Sequence, residues 1–123
     1  MTQRPVLQPG PDHQITVEPT SGPVTIRFAG RVIARTDRAL LLSEAGYPPV
    51  AYLPLDDVDH TVLQPSSHRT YCPYKGEASY FTLRTDDAAA RDAVWCYERP
   101  YEAVADIAGY VAFNPEHVGV ETG

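Results

Sequence analysis

Twelve prolines and eight glycines are spread through 123 residues, and this punctuation narrows the available folds more than any other feature. Proline lacks the amide that a helix interior needs and clashes with the preceding turn. Short strands tolerate such breaks, which fall between them. The chain therefore reads as mainly β, a compact single-domain sheet or barrel with one short helix near the C-terminus. At 123 residues it can bury a core without disulfide or metal staples.

Between the breaks, apolar and polar residues alternate with the period of two that a half-buried strand requires. Strands are expected at 14–18, 24–28 and 31–35, the last two forming a hairpin through Ala29 and Gly30. In the second of these, Val24, Ile26 and Phe28 face a core. The apolar run 39–44 reads as a buried strand, followed by another at 50–53 and a tight or helical turn at 54–58. β structure resumes at 60–63, and a loop opens at 65–68. Further strands are expected at 79–84, at 88–97 with an irregular start, at 110–113 and at 117–120. The short helix spans 101–108, beginning after Pro100 and stopped by Gly109, with Val104 and Ile107 on its inner face. Residues 1–12 read as a flexible arm whose removal costs little, leaving 13–121 as one β-rich domain.

Net charge is −6 and the isoelectric point about 5.0, which argues against a broad phosphate-backbone footprint and hence against nucleic acid as a partner. No apolar run approaches membrane-spanning length, and the first residues lack the apolar core of a signal peptide. We therefore expect no membrane partner and a cytoplasmic location. In that reducing compartment Cys72 and Cys96 are expected as free thiols. Edge strands offer a route to a homo-oligomer.

Chemistry concentrates where the one lysine stands. Lys75 lies in the run Thr70-Tyr71-Cys72-Pro73-Tyr74-Lys75-Gly76-Glu77-Ala78-Ser79-Tyr80, and nine arginines carry the remaining positive charge. Three roles are open to it: a catalytic amine in a dry pocket, a charged binder of an anion or carbonyl, or a structural partner of Glu77, Glu44 or an aspartate. Cys72, placed in a loop, offers a thiol that His68 or Lys75 could activate, or else a small buried plug. Cys96 alternates with Val94 and reads as core. Tyr71, Tyr74, Tyr80, Trp95 and Tyr97 could line a ligand slot or form cross-strand pairs. His68, Cys72 and Cys96 fall short of a structural zinc set, which wants four ligands, usually in Cys-x-x-Cys pairs. His13, His60 and His117 carry no ligand spacing. No metal and no cofactor is expected.

The stretch Cys72-Pro73-Tyr74-Lys75-Gly76-Glu77-Ala78-Ser79-Tyr80 resembles the C-P-Y-K-G-x-A-x-Y signature of a small, mostly bacterial family, domain of unknown function 427. Arg38-Ala39-Leu40 with Glu44, Ala93-Val94-Trp95-Cys96-Tyr97 with Pro100, and Ile107-Ala108-Gly109-Tyr110-Val111-Ala112-Phe113 extend the resemblance from about Val24 to Val120. It implies a compact domain similar to the β-tent folds, and it makes Arg38 and Glu44 candidates for a buried pair bracing the site or for ligand contacts. The family also carries the label nucleotidyltransferase-like. That chemistry uses paired carboxylates on divalent metal near a Gly-Ser turn, whereas Asp56 and Asp57 are adjacent and no Gly-Ser precedes them.

The functional expectation is a small-molecule site, for an anionic or carbonyl group, built around Cys72, Tyr74 and Lys75. Catalysis would fall to Lys75 and Cys72. Ligand contacts would come from Tyr74, His68, Arg38, Glu44, Tyr80, Trp95 and Tyr97. Two alternatives stay open: a thiol enzyme using Cys72, and a non-catalytic structural or interaction module.

Overall fold

The computed structural model describes residues 4–122. Ten strands carry the fold: β1 (Ile15–Pro19), β2 (Val24–Phe28), β3 (Arg31–Thr36), β4 (Leu40–Glu44), β5 (Val50–Pro54), β6 (Leu63–Cys72), β7 (Gly76–Arg84), β8 (Ala89–Cys96), β9 (Tyr110–Phe113) and β10 (Gly119–Thr122). They form two antiparallel sheets, a seven-stranded one in the order β1-β4-β5-β9-β8-β7-β6 and a three-stranded one in the order β10-β2-β3. The protein is thus mainly β, as expected, and of the two forms anticipated it is an open sheet and not a barrel, because β1 and β6 remain as unpaired edges.

Strand periodicity explains how the large sheet is buried on both faces. Leu53, Val94, Cys96, Val111 and Phe113 point to one side, where Val24, Ile26 and Phe28 of the small sheet close over them. Their chain neighbours Tyr52, Tyr97 and Ala112 point to the other side and pack with Leu42, Ala78, Val104 and Ile107. The β2–β3 hairpin turns through Ala29 and Gly30, both with positive φ (52° and 78°), the type I′ geometry whose twist matches its strands.

Several elements differ from expectation for identifiable reasons. The run 39–44 is a strand from Leu40, and of its residues only Ala39 and Leu42 are buried; its neighbour β1 is the sheet edge, so β4 lies away from the core's centre. Residues 60–62 form a turn of 3-10 helix instead of strand, because the Asp59 carboxylate accepts the Thr61 amide at 3.0 Å and caps it. The loop expected at 65–68 is part of β6, with a register shift between Pro65 and Arg69. An edge strand tolerates a residue that has no amide to donate. The C-terminal helix is 3-10 in character over Glu102–Ile107, with Val104 off helical geometry, while Val104 and Ile107 face inward as expected. The last strand begins at Gly119, since Asn114 organises the preceding turn through its carbonyl and its side chain, accepting from His117 and Glu116.

Of the expected arm 1–12, residues 1–3 lie outside the described residues. The remainder runs beside β6: the Leu7 amide donates to the Pro73 carbonyl at 3.0 Å, the Tyr71 hydroxyl donates to the Pro5 carbonyl at 2.6 Å, and Arg4 pairs with Glu77 at 2.9 Å.

Candidate functional site

Lys75 is delivered by the tight turn between β6 and β7. Its amide donates to the Cys72 carbonyl at 3.2 Å, and its own carbonyl accepts from the Tyr101 amide at 3.0 Å, which pins the turn to the segment leading into residues 102–107. Gly76 follows with φ 115°, and a Cβ there would stand 3.3 Å from the Arg99 carbonyl oxygen. Both the conformation and the close approach demand glycine.

From this turn the Lys75 ammonium reaches Glu44 at the end of β4, with Nζ 2.6 Å from Oε1 and the two side chains 12 % and 13 % exposed. His13 meets the other carboxylate oxygen at 2.6 Å and stacks its ring on Tyr74, centroids 4.0 Å apart and nearly parallel. Burial opposes ionisation of Glu44, but the hydrogen bonds from Lys75 and His13 and their charge outweigh it and hold the carboxyl below its ordinary value. Of the partners open to Lys75 from sequence, Glu44 is the one it takes; Glu77 pairs with Arg4 instead.

Beside this cluster lies a cavity of about 640 Å³. Six of the nine residues singled out from sequence line it: Lys75, Cys72, Glu44, Tyr80, Trp95 and Tyr97. Trp95 Nε1 donates to the Tyr52 hydroxyl at 3.2 Å, fixing the indole within the wall. Burial, with some contribution from the Glu44 charge, pushes the Tyr52 phenol up to about 12, and burial raises Tyr97 as well. Both phenols therefore stay protonated at neutral pH and can donate a hydrogen bond.

Three of the nine lie outside the cavity wall. Tyr74 serves as the platform for His13. His68 sits on the exposed side of β6 with its ring tilted on Tyr80, 4.6 Å between centroids. Because 68–72 is extended strand and not loop, His68 and Cys72 are separated by roughly 13 Å of backbone. Arg38 pairs with Asp57 at 3.2 Å and is 62 % exposed. The bracing pair anticipated between Arg38 and Glu44 is replaced by two others, Arg38 with Asp57 and Lys75 with Glu44. Cys72 is half-buried, and Cys96 is buried on the opposite face of the sheet. Among the described residues no three His, Cys, Asp or Glu side chains converge as a metal site would require.

Sequence reasoning missed Tyr47, Pro48, Pro49, Tyr52, Asp92, Asn114 and Pro115 in the wall, and His13 behind it. Alternation along 50–53 could have placed Tyr52 opposite Leu53. The others depend on which strands pair: His13 meets Glu44 because β1 pairs with β4 in the register Ile15 to Glu44, a contact between distant segments.

Fold and site together define a mainly β domain of two antiparallel sheets, with an aromatic-walled cavity at a lysine–glutamate pair. The chain belongs to the family described as a domain of unknown function (DUF427), whose family model matches residues 16–123. No curated protein matches it.

Proposed function

We propose that the cavity binds a small molecule through a carbonyl or anionic acceptor placed on Lys75. The observation that carries this reading is a single ammonium, 12 % exposed, in the wall of a cavity built mainly from tyrosine, tryptophan, proline and aliphatic side chains, with Glu44, Asp92 and Asn114 as the other polar groups. Such a surface combines apolar area with few, fixed polar groups, the usual make-up of a ligand pocket. Lys75 spends one hydrogen bond on Glu44, and an ammonium has three to give. Because Glu44 already neutralises its charge, a carbonyl suits the site better than an anion does. Tyr80, Trp95 and Tyr97 supply flat contact area for the rest of the ligand.

The test is ligand-induced thermal stabilisation across a panel of small amides, ketones and carboxylates. Substituting Lys75 alone leaves the largely buried Glu44 carboxylate with only His13 beside it, so the comparison uses the paired variant Lys75→Met/Glu44→Gln, which removes both charges together. Wild type should gain melting temperature with ligand concentration as binding to the folded state requires, and the paired variant should lose that gain. Equal shifts in both proteins, or none in wild type, would sink the reading.

A second reading, thiol chemistry at Cys72, draws on one observation: Cys72 lines the same cavity as Lys75. It requires that Cys72→Ala abolish turnover of a ligand that still binds.

A further inference from the structure

The seven-stranded sheet is split. Strands β5 and β9 pair only at Leu53 with Val111 and at Pro54 with Tyr110. Continuing that register would set Tyr52 opposite Ala112 and Ala51 opposite Phe113, and neither pair forms. Two steps further the same register would bring Pro49 opposite Pro115. Neither proline has an amide to donate, so the ladder does not resume at that end and the strands stay parted.

Two cavities meet at the parted strands and share part of their walls. Pro49 and Val50 on one lip, and Trp95 and Pro115 on the other, line both the cavity at Lys75 and a second one of about 260 Å³ behind it. The rear chamber is walled by Ile26, Leu41, Ala51, Phe113 and Val120, with no charged side chain. It lies where the small sheet meets the large one, and Val120 at its mouth is 43 % exposed. An apolar recess that shares a wall with a polar anchor favours a ligand with the same division.

We infer that the ligand is amphipathic: a carbonyl-headed molecule whose head sits on Lys75 and whose hydrocarbon tail passes between the β5 and β9 lips into the rear chamber. This rests on the reading of Lys75 as the donor to the ligand. Trp95, the single tryptophan, forms part of both walls, so its fluorescence reports occupancy of either cavity.

The experiment titrates wild type with straight-chain primary amides from butanamide to octanamide, and with the matching alkanoates, following Trp95 emission. Each added methylene should tighten binding roughly two- to fourfold until the chamber is full. Val120→Phe, at an exposed position, and Ala51→Leu, on the sheet side, reduce the chamber without touching Lys75. Both should flatten the dependence on chain length while short-chain binding persists. Binding that ignores chain length, or a dependence that both variants retain, overturns the amphipathic ligand and leaves the Lys75 site standing. Absence of binding by either series overturns both.

Discussion

With Lys75 on one carboxylate oxygen and His13 on the other, Glu44 carries the charge balance of the site. Removing it alone leaves the Lys75 ammonium largely buried without its partner, so Glu44→Gln should lower unfolding free energy by about 2 kcal/mol, measured by urea denaturation at pH 7. The paired variant Lys75→Met/Glu44→Gln should lose less than Glu44→Gln does. The pH dependence follows from the direction of the Glu44 shift. Its folded carboxyl titrates below the ordinary value of 4.5, so its contribution is fully present above that value and is lost as pH falls through the folded one. Urea melts between pH 7 and pH 3 should show a shallower acid loss in Glu44→Gln than in wild type. Ala29 invites a change in the opposite direction: an exposed residue at φ 52° in a type I′ turn bears a cost that asparagine relieves. Ala29→Asn should stabilise by about 0.5–1 kcal/mol, read as a higher melting temperature.

At the scale of elements, the turn from β6 to β7 and the segment beside it should respond very differently to change. Gly76→Ala meets both a positive φ and a carbonyl oxygen 3.3 Å from the new Cβ. Gly46→Ala meets a positive φ of 77° alone, with nothing near. The first should cost more than about 2 kcal/mol and the second about 1 kcal/mol, and only the first should displace Lys75 from Glu44. The N-terminal segment is held by an exposed ion pair and a few hydrogen bonds, so we propose that deleting residues 1–9 costs no more than about 1 kcal/mol. Elements with local causes were legible in the sequence: the alternation of Val24, Ile26 and Phe28, the Ala29-Gly30 turn, the inward pair Val104 and Ile107. Residues 60–62 and 65–68 were not, because a capping Asp59 and the edge position of β6 decide them. The nine site candidates divide likewise. Lys75, Cys72, Tyr80, Trp95 and Tyr97, on or beside the β6–β7 turn, β7 and β8, converge with Glu44 of β4, whereas Arg38, His68 and Tyr74 face other surfaces, which no local pattern encodes.

At the scale of the whole molecule, the large sheet separates the two cysteines, and this gives the site its most direct chemical test. Cys72 belongs to the wall of the main cavity and packs with the cluster of Leu42, Tyr52 and Tyr97. Cys96 lies among Val94, Val111 and Phe113 beneath the small sheet, where burial pushes its thiol up. A small alkylating reagent that enters the cavity therefore meets one thiol and not the other. Iodoacetamide, followed by intact-mass and peptide analysis, should modify Cys72 in the native protein and Cys96 only at the rate of unfolding, so that denaturant raises Cys96 labelling far more than Cys72 labelling. A ligand seated at Lys75 should slow Cys72 by blocking the cavity and should slow Cys96 only as far as it stabilises the folded state, so that Cys72 is protected at ligand concentrations and denaturant levels where unfolding contributes nothing to its labelling. Equal native rates at both cysteines would mean that the cavity does not give access to its wall. Ligand protection of Cys96 alone would mean stabilisation without occupancy of the site.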